Sequence, residues 1–170
     1  MSLNSGGLNV TNLTQQEIRA LHEALDDEYR AWTTYDQVVA DFGEVRPFSN
    51  IREAEARHIG ALRAVFDAYA LPVPANPWPG QVARYSSIQE ACEAGVAAEV
   101  ENAALYERLL AATRRPDILA VFRNLQEASQ KRHLEAFRRC ASRGAGAGRG
   151  CGGRGGGGHR RRMGHGAPGP

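Results

Sequence analysis

The 170-residue sequence predicts an all-α fold of four helices. Four long segments carry apolar residues at helical spacing, and helix-capping residues stand where these segments begin. A block in the second segment also returns in the fourth, because residues 56–63 read ARHIGALR and residues 131–138 read KRHLEAFR, 75 positions later. Hydrophobic residues make up 42% of the chain, which is enough for the core of one domain.

The first helix is expected over residues 15–42. Thr14 and Glu17 form a capping box before it, and a glycine follows its last residue. Glu28 lies in the middle of an apolar stripe, whereas Asp27 lies off the stripe and is predicted to be solvated. The first helix therefore places one carboxylate where a core is expected.

The second helix is expected to be capped by Asn50 with Glu53 and to end before Leu71. Glu55 and His58 are three residues apart on its apolar face, so their side chains are neighbours. An uncompensated charge in an apolar core is costly, and a bound metal ion is one way of compensating it. This pair is the first indication of a metal site.

Residues 71–86 contain four prolines and are predicted to form a non-helical connection. A loop of this length is long for a compact domain, and Trp78 is expected to pack on the helices and hold it in place. Ser87 with Glu90 caps the third helix, which is expected to reach about Thr113.

The fourth helix is expected from Pro116, which suits a first helical turn, to about Ser142. His133 lies on its apolar face. Immediately before the repeated block, Gln130 occupies the position that Glu55 holds in the second helix, so the fourth helix lacks one carboxylate.

Two glutamates are each followed by a tyrosine seven residues later, Glu28 by Tyr35 and Glu99 by Tyr106. Both tyrosines are expected to be core residues, with hydroxyls that could reach a ligand carboxylate. Two helices carrying one Glu each, combined with two carrying Glu-x-x-His, form the ligand pattern of two-metal carboxylate bundles. The candidate metal ligands are Glu28, Glu55, His58, Glu99 and His133.

The chain from about Thr14 to Ser142 resembles an uncharacterised prokaryotic family of the ferritin-like superfamily, a domain of unknown function. The resemblance rests on the stretches EYRAWTTY, RPFSNIREAEARHIGAL, EACEAGVAAEVENAALY and NLQEASQKRHLEAFRRC. It implies a ferritin-like antiparallel four-helix bundle, in which residues 71–86 are the long crossover between helices 2 and 3. Relatives such as rubrerythrins and bacterioferritins are di-iron proteins that act as peroxidases, oxidases or ferroxidases.

The resemblance thus implies two iron ions, with manganese or zinc as alternatives, and redox chemistry with oxygen or peroxide as the substrate. Glu28 and Glu99 would be terminal ligands, and Glu55 a bridge. Because Gln130 is a poor bridge, three options stay open: Glu127 fills the gap, hydroxide does, or only the half-site of Glu55 and His58 binds metal. The rival interpretation is a non-catalytic bundle or interaction module that has lost part of the site.

Three regions are predicted: a flexible arm (residues 1–13), the bundle (14–142) and a disordered Gly/Arg/His-rich tail (143–170). Six of the 21 basic residues and none of the 19 acidic residues lie in this tail. Such a segment binds nucleic acid weakly through phosphate charge, which makes nucleic acid an alternative partner. Alternatively, Cys140, just before the tail, could bind a metal together with Cys151, His159 and His165 in it, or the tail could simply be solvated.

The three cysteines, Cys92, Cys140 and Cys151, show no disulfide framework, and their odd number suggests a reducing compartment. Cys92 is expected to be a small buried hydrophobic residue. No apolar run approaches the ~18 residues of a membrane span, and no secretion signal is evident. We therefore expect a cytoplasmic protein without a membrane partner, and with a second copy of the chain as a candidate partner.

Overall fold

The computed structural model describes residues 12–147 and is helical without strands over that range, which confirms the all-α prediction. The helices are α1 (Gln15–Phe42), α2 (Phe48–Ala68), α3 (Ile88–Ala111), α4 (Pro116–Ala128) and α5 (Leu134–Ala147). A π-helical turn, Ser129–His133, joins α4 directly to α5. The helix thus extends past the predicted end at Ser142. Most of the predicted arm and tail, residues 1–11 and 148–170, lie outside the described residues.

Helix α1 begins and ends at the predicted residues. Thr14 Oγ1 accepts the backbone N–H of Glu17 at 3.2 Å, and Glu17 Oε2 accepts that of Thr14 at 2.9 Å. Gly43 ends the helix with a φ of 86°, a conformation that suits glycine. Glu17 also accepts a hydrogen bond from Thr113 Oγ1 at 2.8 Å, which ties the α3–α4 connection to the start of α1.

Helix α2 begins at Phe48, so the prediction that Asn50 is its cap was wrong. Asn50 lies exposed within the first turn, and Pro47 precedes the helix without a side-chain hydrogen bond. Phe48 is buried, and its ring centroid lies 5.9 Å from that of Tyr35 and 5.2 Å from that of Phe137. Burial of this aromatic ring, a tertiary contact, places the helix start earlier than the capping pattern indicates.

Two apolar clusters fix the directions of the helices. The first includes Leu21, Leu25, Leu62, Phe66, Tyr106, Leu109 and Phe122. The second includes Tyr35, Val38, Phe48, Ile51, Cys92 and Phe137. Helix α1 and the α4–α5 rod run from the first cluster to the second, whereas α2 and α3 run from the second to the first. Because α2 and α3 are parallel, the chain between them must return along the bundle, which explains the long crossover.

The crossover lies against α1. Trp78 Nε1 donates to Asp26 Oδ1 at 3.0 Å, and the Arg30 guanidinium lies 5.8 Å from the indole centroid. Asn76 Nδ2 donates to Thr33 Oγ1 at 2.9 Å. Trp78 also packs on the first apolar cluster. The expectation that Trp78 holds this segment on the helices is confirmed.

Cys92 and Cys140 form a disulfide between α3 and α5, with their Cα atoms 5.9 Å apart. The prediction of unpaired cysteines was therefore wrong. The two residues are 48 positions apart, and only the packing of the two helices brings them together. With two cysteines paired, and Cys151 outside the described residues, the odd count no longer supports a reducing compartment. Between residues 12 and 147, no helix combines the length and the apolarity needed to cross a membrane.

Candidate metal centre

Five ionisable side chains lie together in the middle of the bundle, between the two apolar clusters. The carboxylate–histidine cluster consists of Glu28 on α1, Glu55 and His58 on α2, Glu99 on α3 and His133 in the π-helical turn. The three glutamates and His133 are each no more than 4% exposed, and the His58 side chain is 13% exposed. The structure thus brings together all five residues that the sequence indicates as candidate ligands.

Glu55 is the centre of this cluster. Its Oε2 lies 2.7 Å from His58 Nδ1, and its Oε1 lies 3.1 Å from His133 Nδ1. Two groups of potential ligand atoms share Glu55: one with Glu28 and His58, the other with Glu99 and His133. Within each group these atoms lie within 4.8 Å of one another. A single carboxylate therefore connects two sites of similar composition.

The two tyrosines of the repeated Glu–Tyr pattern hold the outer carboxylates. Tyr106 on α3 donates to Glu28 Oε1 on α1 at 2.6 Å, and Tyr35 on α1 donates to Glu99 Oε1 on α3 at 3.1 Å. Burial and the neighbouring carboxylates raise the pKa of both phenols well above its usual value, so both remain donors. The hydrogen bonds cross between α1 and α3 and orient both glutamates toward the cluster.

The carboxylates of the cluster stabilise positive charge on the neighbouring imidazoles. Burial, followed by the Glu55 charge, raises the pKa of Glu28. Burial alone would also raise the pKa of Glu55, but the adjacent imidazoles of His133 and His58 hold that pKa below its usual range. Burial acts to lower both histidine pKa values; nevertheless the carboxylates raise the pKa of His58 to about 10 and that of His133 to about 9.

His133 Nδ1 is buried and has no hydrogen-bond partner of adequate geometry among residues 12–147. It lies 3.1 Å from Glu55 Oε1 and 3.6 Å from Glu99 Oε1. Two ligands that bind one cation at about 2.1 Å, at right angles, lie about 3 Å apart. The spacing around His133 is therefore compatible with a shared cation as well as with an ion pair. Buried polar atoms without partners are rare, and each one calls for an explanation.

The π-helical turn changes which residue faces the cluster. Ser129 is buried and its hydroxyl donates to Glu99 Oε2, whereas Gln130 is exposed. In a π-helical turn each hydrogen bond spans five residues instead of four, which shifts the side chains around the helix relative to the repeat. The assignment of Gln130 to a ligand position was therefore wrong. Glu127 does not fill the gap either, because it is exposed and lies 3.0 Å from Lys131 Nζ.

Asp27 was wrongly predicted to be solvated. Its side chain is 14% exposed, and it accepts hydrogen bonds from Asn102 Nδ2 at 2.8 Å and from Arg30 at 2.9 Å. Burial raises its pKa above the usual value. Asp27 and Asn102 line a cavity of about 330 Å³ that also reaches the five cluster residues. Helical spacing places Asn102 on the same face of α3 as Glu99, but its contact with Asp27 depends on the approach of α3 to α1.

No protein-family model matches the chain, and no curated protein matches it. Among solved structures, the fold is similar to the crystal structure of a hypothetical protein from Methanococcus jannaschii DSM 2661. The two share 22% sequence identity with a TM-score of 0.71, over 82% of this chain and 87% of the other. At this level of identity the likeness concerns the fold alone.

Proposed function

We propose that this chain is a ferritin-like metal-binding protein in which the carboxylate–histidine cluster holds two divalent ions. Iron is the first choice, with manganese or zinc as alternatives. With iron or manganese the function is oxidoreduction with oxygen or peroxide, whereas zinc is not redox-active. The observation that carries the proposal is the position of Glu55, one buried carboxylate shared by two groups of ligand atoms. The parallel α2 and α3 and the crossover between them support the ferritin-like topology.

The donor set fits such ions. Carboxylate oxygens and imidazole nitrogens together suit iron, manganese and zinc. The cluster already attracts cations, since its carboxylates raise the pKa of both imidazoles. A metal ion would take the place of those protons. It would also bond His133 Nδ1, which makes no hydrogen bond of adequate geometry within residues 12–147.

The two groups of ligand atoms that share Glu55 assign a role to each residue of the cluster. Glu28 and His58 would hold one ion, Glu99 and His133 the other, and Glu55 both. With two redox-active ions bound, the chemistry that the site would supply is electron transfer to oxygen or peroxide.

The surrounding side chains prepare the site for this chemistry. Tyr106 and Tyr35 keep Glu28 and Glu99 oriented, and the two apolar clusters lie on either side of the buried carboxylates. Holding the ligand atoms in place before the ions bind reduces the free energy that site formation costs.

Ser129 favours a second candidate function. A neutral hydroxyl lies where a further carboxylate would complete the ligand set, and three glutamates do not balance two divalent ions. A bundle that binds one ion, or that binds metal without catalysis, is consistent with this deficit.

Metal analysis tests the proposal. Protein purified without chelator is expected to contain about two ions per chain, measured by mass spectrometry of the digested protein. The Glu55→Ala/His58→Ala variant should lose both. A matched control is Glu53→Ala/Arg57→Ala, since both residues are exposed on the same helix. Equal metal content in the two double variants would contradict the assignment of the ligands.

The rate at which oxygen oxidises ferrous iron in the presence of the protein tests the proposed reaction. A protein that binds metal but does not promote this oxidation would favour the second candidate, a bundle that binds metal without catalysis.

A further inference from the structure

The cavity at the cluster is open to the surface beneath the crossover. Its volume is about 330 Å³, and it lies between α1, α3 and the crossover. The lining passes from exposed residues such as Gln81 and Ala83 to the buried side chains of Glu55 and His133. It therefore connects solvent with the carboxylate–histidine cluster.

More of the accessible wall of this cavity is apolar than polar, although charged residues such as Arg30 and Glu101 also line it. The apolar part includes Ala31, Ala94 and Ala98 on the helices and Trp78, Val82 and Tyr85 on the crossover. The three alanines face the cavity from α1 and α3, so small side chains on both helices leave the space open. The volume is at the lower end of the range of about 300–1,000 Å³ that is typical of small-molecule sites.

Asn102 adds a polar feature to the wall. Its Nδ2 donates to Asp27 at 2.8 Å, but its Oδ1 is buried and has no hydrogen-bond partner in the described part of the chain. A buried acceptor without a donor is unfavourable, and a ligand that carries an O–H or N–H group would relieve it. This acceptor is independent of the five cluster residues.

We propose that this cavity binds a small organic molecule with an apolar, ring-sized body and one hydroxyl or amino group that donates to Asn102 Oδ1. Oxygen or peroxide alone needs far less space. The molecule would lie against the apolar walls with one end near the cluster, which makes it a candidate organic substrate. The role of this molecule as a substrate rests on the proposed function, whereas its binding in the cavity does not.

Naphthol and naphthalene are suitable probes, because they share one apolar body and differ by one hydroxyl. Affinities are measured on the full chain by calorimetry and by tryptophan fluorescence, with and without metal. Naphthol should bind about fivefold more tightly than naphthalene, as expected for one hydrogen bond. The Asn102→Ala variant should remove this difference while still binding both. An undiminished preference for naphthol in Asn102→Ala would overturn the assignment of the acceptor.

Two wall variants test the location. Ala94→Leu and Ala31→Leu fill the cavity from opposite helices and should each weaken naphthol binding at least tenfold. Ala104→Leu is the control, because Ala104 is exposed on α3 and does not line the cavity. Equal affinities in the three variants would overturn the proposal. Protein that contains metal but binds neither probe would contradict this inference alone. Probe binding in protein that never takes up metal would support the cavity site and contradict the proposed function.

Discussion

Ser129 and Gln130 are adjacent in the chain, yet only Ser129 is buried against Glu99. In a regular α-helix, a residue three positions before His133 shares its face, as Glu55 does with His58. The π-helical turn inserts one additional residue into that turn and rotates Gln130 to the surface. A one-residue change in helix geometry therefore replaces an amide by a hydroxyl in the cluster.

We predict that Ser129→Asp increases the affinity for the second metal ion by about tenfold, because it adds a negative charge beside Glu99. Without metal the same change should destabilise the protein, since it buries another carboxylate. Isothermal titration with ferrous or manganous ions measures the first effect and thermal melting the second. Gln130→Glu is the control and should change neither value. A tenfold effect of Gln130→Glu would contradict the observed position of that residue.

The stability of the metal-free protein should fall at alkaline pH. The pKa is about 10 for His58 and about 9 for His133 in the folded protein, against an ordinary value near 6.5. A raised pKa contributes stability that is fully present below pH ~6.5 and is lost as the pH rises through 9 to 10. The raised pKa of Glu28 acts in the same direction from about pH 4.5 upward.

Melting temperatures in the presence of chelator, measured at pH 6 and at pH 10, check this prediction. The protein should melt at a lower temperature at pH 10. A His58→Gln/His133→Gln variant should show a smaller difference between the two values, because the titrating imidazoles are gone. Equal melting temperatures of the unmodified protein at both pH values would show that the two imidazoles are not held protonated by the carboxylates.

At the scale of elements, Gly95 determines how closely α3 approaches α5. A Cβ at this position would lie 2.7 Å from Cδ1 of Phe137, much closer than atoms in a core normally approach. Phe137 is fully buried among Tyr35 and Phe48, so its ring has little room to move. The glycine thus allows the helix carrying Glu99 to contact the rod that carries His133.

We predict that Gly95→Ala lowers the free energy of unfolding by about 1–3 kcal/mol through overpacking. Gly60→Ala on α2 is the matched control, because nothing lies within 4 Å of its added Cβ. That change should raise the free energy of unfolding by about 0.5–1 kcal/mol, since alanine loses less backbone entropy in a helix. Urea unfolding measures both variants. A stabilising effect of Gly95→Ala would show that the two helices lie farther apart in solution.

At the scale of the whole molecule, the disulfide joins α3, which carries Glu99, to α5, which follows His133. Cys92 lies on α3 before Glu99, and Cys140 lies on α5 after His133. Closing a loop of this length restricts the unfolded chain and stabilises a protein by about 2–4 kcal/mol. The bond therefore supports the bundle at the end occupied by the second apolar cluster.

The Cys92→Ala/Cys140→Ala variant should lose about 2–4 kcal/mol of unfolding free energy. A reducing agent should lower the melting temperature of the unmodified protein but not that of this variant. Cys151→Ser is the control and should leave the melting temperature unchanged. If the reducing agent has no effect on any of these proteins, the two thiols are not paired in solution.

The sequence by itself determined the helices and the residues of the cluster. Capping by Thr14 and the glycine after α1 depend on neighbours within a few positions, so the limits of α1 could be read directly. The cluster residues could be identified because polar groups at helical spacing within an apolar stripe stand out. The repeat of Glu28–Tyr35 in Glu99–Tyr106 strengthened the pattern and suggested that the tyrosine hydroxyls could reach ligand carboxylates. Which carboxylate each hydroxyl contacts was decided by the packing of α1 against α3.

Only the tertiary structure decided the remaining features. The start of α2 depends on the burial of Phe48, and the disulfide depends on the packing of α3 against α5. The π-helical turn exchanges Ser129 for Gln130, and the cavity with its unsatisfied Asn102 exists only where α1, α3 and the crossover meet. These features join residues far apart in the chain or shift a side chain by a fraction of a turn. Local periodicity contains neither kind of information, because both arise from the packing of one helix against another.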